Sequence, residues 1–117
     1  YKCLFVDIDG TLITNSSHHF PPYMGSGEPI ENNIDFIAEL HEQGKTKIVL
    51  TTSRPDKFRQ LTIMELQTKG IPFDELVMGL PHCQRVIIND FARSNQYPSC
   101  KAINIPRNTD DLMEYFL

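Results

Sequence analysis

The sequence predicts an α/β fold: a single domain over residues 1–117 in which a parallel sheet lies between helices, a three-layer α/β/α arrangement. Three observations predict it. Short apolar, β-rich runs alternate along the chain with segments of helical period, and such alternation implies parallel pairing through right-handed crossovers. The chain has 117 residues, 40% of them hydrophobic, which suffices for one core and little more. Polar residues collect at the carboxyl ends of the predicted strands, the edge at which open Rossmann-like sheets bind ligands.

The elements follow in order. Residues 2–8, KCLFVDI, form a short run ending beside the pair Asp7 and Asp9, as suits a strand buried on both faces. Residues 11–29 are rich in Ser, Gly and Pro, so a loop or small hairpin above the sheet is expected. From Pro29 a helix is predicted, with Ile34, Ile37, Ala38 and Leu40 or His41 at helical spacing and Gly44 as its left-handed terminus. Residues 46–52 form the next strand. Pro55 opens a second helix carrying Phe58, Leu61, Thr62, Glu65 and Leu66, which Gly70 ends. Residues 74–78, 85–90 and 101–105 read as three further strands, and TDDLMEYFL reads as a closing helix capped by Thr109.

Composition excludes several functions. The formal net charge is −4, and the 11 Lys and Arg residues are scattered, so nucleic acid finds no basic footprint. Cys3, Cys83 and Cys100 are odd in number and lack CxxC spacing, which argues against a disulfide framework and a structural zinc site and for a reduced, cytoplasmic protein. No apolar run approaches the roughly 18 residues that span a bilayer, and no signal-peptide pattern opens the chain. Tyr1 in place of Met reads as a trimmed chain or a part of something longer.

The rim formed by the strand ends holds Asp7 and Asp9, then Thr51, Thr52, Ser53 and Arg54, then Asn89 and Asp90. Three carboxylates drawn together repel one another unless a cation sits among them, and hard oxygen donors select Mg²⁺. Thr52 and the backbone N–H groups around Ile8 to Gly10 would bind the oxygens of an anion held there. A phosphoryl group fits, because its transfer asks for positioning and charge neutralisation. Asp7 and Asp9 point to the same side of an extended strand, so one can attack while the other handles a proton.

These residues also carry a resemblance. DIDGTL resembles the first motif of the haloacid dehalogenase superfamily, D-x-D-G-T-L; TSR after KIVLT resembles its second, and VIIND its fourth. The resemblance implies a phosphatase whose nucleophile is Asp7 and whose general acid and base is Asp9. It implies that Thr52 holds the phosphoryl oxygens, and that Asp7, the Asp9 carbonyl and Asp90 bind Mg²⁺, with Asn89 behind them. The family's third-motif Lys is missing, since MGLPHC places Leu80 where relatives often read Lys; Arg85 is the preferred substitute, ahead of His82 and Lys57. The short intervals between motifs leave no room for a cap, and capless members resemble this layout. They act on large substrates or take a neighbouring subunit as the lid, which makes a homo-oligomer an expected partner arrangement.

The reading is therefore a Mg²⁺-dependent phosphohydrolase of a phosphate monoester, a sugar phosphate among the candidates, passing through phospho-Asp7. Its catalytic residues are Asp7, Asp9, Thr52 and Arg85, its substrate-binding residues Thr52, Ser53 and Arg54, and its metal ligands Asp7, Asp9 and Asp90. Thr51 or Ser53 is an alternative to Thr52 for the phosphate contact, and Thr52 is then a helix cap. The alternative function is an impaired relative that binds a phospho-ligand without turnover, motivated by Leu80 and Asn89. A glycosyltransferase reading of D-x-D needs about twice the chain. His18 and His19 read as an exposed pair on the loop, not as metal ligands.

Overall fold

The computed structural model describes residues 2–15, 27–94 and 99–116. The His18–His19 pair and most of the predicted specificity loop lie outside these residues. Three parallel strands form the sheet: β1 (Lys2–Asp7), β2 (Thr46–Thr51) and β3 (Glu75–Val77), in the order β1-β2-β3. Two helices connect them, α1 (Glu31–Glu42) and α2 (Arg59–Thr68), the second preceded by one 3₁₀ turn over Asp56–Phe58.

Alternation along the strands decides which side is inside. Leu4 pairs with Ile48, and Val6 pairs with Leu50, which pairs with Leu76. This side joins Ile8, Leu12, Ile34, Ile37, Leu66 and Ile71 in one core cluster. Each crossover steps the same way across the sheet, which with right-handed connections puts both helices on one face, in agreement with that cluster. The opposite side carries Phe5 and Val77, 59% and 40% exposed, where the sequence predicts a further helical layer.

Both helices stop where glycine lets them. Gly44 (φ +78°) follows α1 and Gly70 (φ +70°) follows α2, and the Ile71 N–H returns to the Leu66 carbonyl at 2.9 Å in a Schellman closure. The inward face of α2 differs from expectation. Thr62 and Glu65 are buried with Leu66, whereas Leu61 is 58% exposed, because this helix turns polar groups toward Arg54.

The later part of the chain departs from the sequence reading. Residues 85–90 and 101–105 are not strands, and the predicted closing helix is a short 3₁₀ segment, Leu112–Phe116. β-Propensity states that a segment suits a half-buried pleated surface; it does not supply the neighbour that makes a ladder. Residues 84–92 are exposed throughout, with Ile88 at 89%. Residues 105–116 instead pack by side chains: Ile105, Leu112 and Phe116 join the core, and Thr109 Oγ1 donates to the Pro106 carbonyl in place of capping a helix.

Candidate active site at the carboxyl ends of the strands

The turn after β1 is built by one carbonyl. Ile8 O accepts N–H bonds from Thr11, Leu12 and Ile13 at 2.9–3.3 Å, which folds the DGTL segment tightly and drops Leu12 and Ile13 into the core. Gly10 sits at φ +93°, a region a Cβ would strain, and any Cβ there would lie 3.2 Å from Arg107 Cγ. The Gly10 N–H is spent on the Ile13 carbonyl at 2.7 Å, so it is not among the anion donors the sequence predicts.

A distant segment braces this turn. Asn108 donates its N–H to the Gly10 carbonyl, and its side chain both accepts from Asn15 N and donates to Asn15 O. Asn33 of α1 is fully buried; its Nδ2 donates to the carbonyls of Thr11 and Thr109, each at 2.8 Å, and its Oδ1 accepts from Leu112 N. Sequence reasoning passed over Asn33, Arg107 and Asn108, because nothing local marks a residue whose partners lie about 76–93 positions away.

Asp7 and Asp9 do share the rim, in different states. The Asp7 side chain is exposed, yet protein packed around the carboxyl withholds water from it and the Asp9 charge adds repulsion. Together these push its pKa from 3.8 up to about 6, against the Ile8 N–H bond and the charges of Arg85 and His82, which lower it. Asp9 is pinned. Arg54 Nε donates to Oδ2 at 2.9 Å and Nη2 to Oδ1 at 2.7 Å, a bidentate fork.

Arg54 is thus placed otherwise than expected. It is buried, and besides Asp9 its Nη1 reaches Glu65 Oε1 at 2.7 Å and Thr62 Oγ1 at 3.3 Å, so its donors face inward instead of toward substrate. Burial alone would lower its pKa, but the bonds and charges of Asp9 and Glu65 outweigh that and raise it. Burial would likewise raise Glu65, while Lys69 at 2.7 Å and Arg54 hold its carboxyl below the usual range. The result is a row of alternating charge, Lys69, Glu65, Arg54 and Asp9, running from α2 to the rim.

Thr52 is also turned in. It is 1% exposed, and its hydroxyl accepts the Arg54 N–H at 3.0 Å in a turn two residues long; it does not cap the following helix, whose N-terminal positions Pro55 and Phe58 carry no side-chain cap. The hydroxyl that reaches the rim belongs to Ser53. Arg85 Nη2 donates to Ser53 Oγ at 3.0 Å, while Nη1 is steadied by the carbonyls of Pro81 and Cys83. Arg85 is thereby tied to a residue just past the end of β2, and its charge lowers the Asp7 pKa. Leu80 lies there too, its N–H on the Thr52 carbonyl at 3.2 Å.

Asn89 and Asp90 are not brought to this rim. The Asp90 carbonyl and the Asn89 amide both bond Ser99 Oγ, within the exposed segment after Arg85. Among the described residues no group of three His, Cys, Asp or Glu side chains is arranged to hold a metal ion, so the three-carboxylate set is not assembled. Two oxygen donors of that set, the Asp7 carboxylate and the Asp9 carbonyl, remain on the turn. Mg²⁺ ordinarily takes one or two carboxylates and fills its other positions with water and phosphate oxygens, and a carboxyl made costly to ionise gains from an adjacent cation.

No family model matches the chain, and no curated protein does. A solved structure, that of a structural-genomics target from Vibrio cholerae, is similar with a TM-score of 0.55 and 24% identity over 99% of this chain and 94% of that one. The fold this chain shares with that protein is a small α/β fold, here with a three-stranded parallel sheet and two helices.

Proposed function

We propose that the chain is a Mg²⁺-dependent phosphohydrolase of the haloacid dehalogenase type, cleaving a phosphate monoester of the sugar-phosphate class through Asp7. The observation that carries this reading is Asp7 itself: a carboxyl at the end of β1 with a pKa near 6, beside Asp9 and facing Arg85. In the reaction an Asp7 oxygen attacks phosphorus, the ester P–O bond breaks, and the leaving oxygen takes a proton. Water then attacks phospho-Asp7, gives up a proton and releases phosphate.

Each neighbour has a part. Asp9 holds or moves the proton with the lone pairs that Arg54 leaves, since each carboxylate oxygen accepts two bonds. Arg54 orients Asp9 and does not touch substrate. Arg85 and Ser53 bind phosphoryl oxygens, Thr52 shapes the turn beneath them, and Asp7 with the Asp9 carbonyl would hold Mg²⁺. The metal, when bound, neutralises phosphoryl charge. The reading carries a three-layer Rossmann-like scaffold and a cytoplasmic setting, the latter supported by the exposed free thiols of Cys3, Cys83 and Cys100.

A second reading has its own support. The buried Thr52 hydroxyl, the pinned Asp9 and the distant Asp90 favour a domain that binds a phospho-ligand without turning it over. Phosphate release from a panel of sugar phosphates and other esters, with Mg²⁺ against chelator and with Asp7→Asn as the blank, separates the two. Mg²⁺-dependent release that vanishes in the variant supports the enzyme. Phosphate binding without release on a folded protein supports the second reading.

A further inference from the structure

We propose that Arg107 is a specificity residue of the rim, binding a second anionic group, carboxylate or phosphate, on the phosphate ester that the site takes. The inference rests on the reading, shared by both functions above, that the rim holds a phosphoryl group. Arg107 comes from a segment far away in sequence, yet its stem lies on the turn that carries Asp9. A Cβ added to Gly10 would stand 3.2 Å from Arg107 Cγ and 3.9 Å from its Cδ, so the glycine of DIDG leaves the space that this side chain crosses.

The backbone on either side of Arg107 is fastened. Ile105 packs on the core, and the Pro106 carbonyl accepts from the Thr109 N–H at 3.3 Å and from Thr109 Oγ1 at 2.9 Å. Asn108 donates to the Gly10 carbonyl and pairs twice with Asn15. It is the one non-glycine residue at positive φ, +67°, among the described residues. Such a conformation persists where the surrounding structure imposes it, and it clusters at ligand clamps. All of these bonds are made without the Arg107 side chain.

That side chain is exposed, and among the described residues its guanidinium makes no hydrogen bond or ion pair. The residues outside that set, 1, 16–26, 95–98 and 117, include no Asp or Glu to neutralise it. Arg54, Arg59 and Arg85, by contrast, each spend donors on the protein. Position decides what the unspent cation binds. Arg85 and His82 are cations whose charge lowers the Asp7 pKa, and Arg85 with Ser53 serves the phosphoryl group beside that carboxyl. Arg107 reaches the rim from the Gly10 turn, so it meets atoms of the ester away from phosphorus. Its planar fork matches carboxylate and phosphate oxygens and gains far less from a neutral hydroxyl.

The test titrates Asp7→Asn, in which no ester is turned over, with glucose 6-phosphate, 6-phosphogluconate and glucose 1,6-bisphosphate in a calorimeter. These ligands share a phosphorylated six-carbon chain and differ in carrying a neutral group, a carboxylate or a second phosphate at carbon 1. A doubly anionic ligand is expected to bind about tenfold tighter than glucose 6-phosphate, and whichever of the two leads identifies the second anion. Adding Arg107→Ala should remove the preference and Arg107→Lys keep part of it, with the circular dichroism unchanged. Lys45→Ala, beside the amino end of β2 and opposite the rim, should keep it in full, which separates a local contact from an effect of net charge. Equal affinities for the three ligands, a preference that survives Arg107→Ala, or one lost equally in Lys45→Ala would each overturn the proposal. Binding of none of them overturns it together with the reading beneath it. The expected preference without phosphate release by the parent upholds the proposal and removes only the enzyme.

Discussion

Arg54 grips Asp9 with two parallel bonds of 2.7 and 2.9 Å, so the second carboxylate of the DIDG motif is held by a residue 45 positions away that is itself buried. The same guanidinium reaches Glu65, and removing it strands the half-buried Asp9 carboxylate and leaves buried Glu65 with Lys69 as its remaining cation. Arg54→Ala is expected to cost about 3–5 kcal/mol in urea unfolding. Arg54→Lys, which cannot fork, should fall between. A loss under 1 kcal/mol for the alanine variant would mean that the row is replaceable by water.

Asp7 sets a pH dependence of stability. Its folded-state pKa of about 6 exceeds the ordinary 3.8, so between these values the folded protein binds the proton more readily than the unfolded chain. The contribution is most favourable below pH 3.8 and is lost as the pH rises through about 6. Asp7→Asn should therefore raise Tm above the parent at pH 7.5 and match it at the acid end, read by thermal scans. Its carboxyl carbon should titrate by NMR near 6 without metal, and lower with Mg²⁺ if Asp7 is a ligand.

Asn33 satisfies two carbonyls and one N–H, from the turn at Thr11 and from the segment holding Thr109 and Leu112. Asn33→Leu keeps the branched shape but is bulkier and leaves all three groups unpaired, a loss on the order of 3–5 kcal/mol in all. Hydrogen exchange at Leu112 and around Thr11 is expected to speed up together. Protection unchanged at Leu112 would show that the 3₁₀ segment is held by its apolar contacts alone.

Leu80 occupies a rim position beside Thr52 without a charge to offer. Leu80→Lys is expected to tighten inorganic phosphate binding several-fold by calorimetry, and to raise turnover if the chain is an enzyme. No change in phosphate affinity would remove residue 80 from the site.

The front half of the fold was legible in the sequence because its signals are local. Periodicity, Gly44 and Gly70 marked both helices and the first three strands to within a few residues. The rim was legible as a set of positions, since the end of a parallel strand is where polar residues face a crevice. Its wiring was not. That Thr52 faces in, that Arg54 serves Asp9, and that Glu65 is a core residue of an amphipathic helix depend on which of several neighbouring polar groups wins a partner across the fold. The segments 85–90 and 101–105 failed for a related reason, because strand composition is a local property whereas pairing requires a neighbour.

The bracing of the DGTL turn by residues 105–112 has a consequence for how the protein is made. A ribosome finishes Asn15 some 93 residues before Asn108, an interval of about 5–20 s at ordinary synthesis rates. Throughout it the turn that carries Asp9, next to Asp7 at the end of β1, lacks this brace, and its final closure must wait for a contact of very long range. The part of the molecule translated first is then among the last to become rigid.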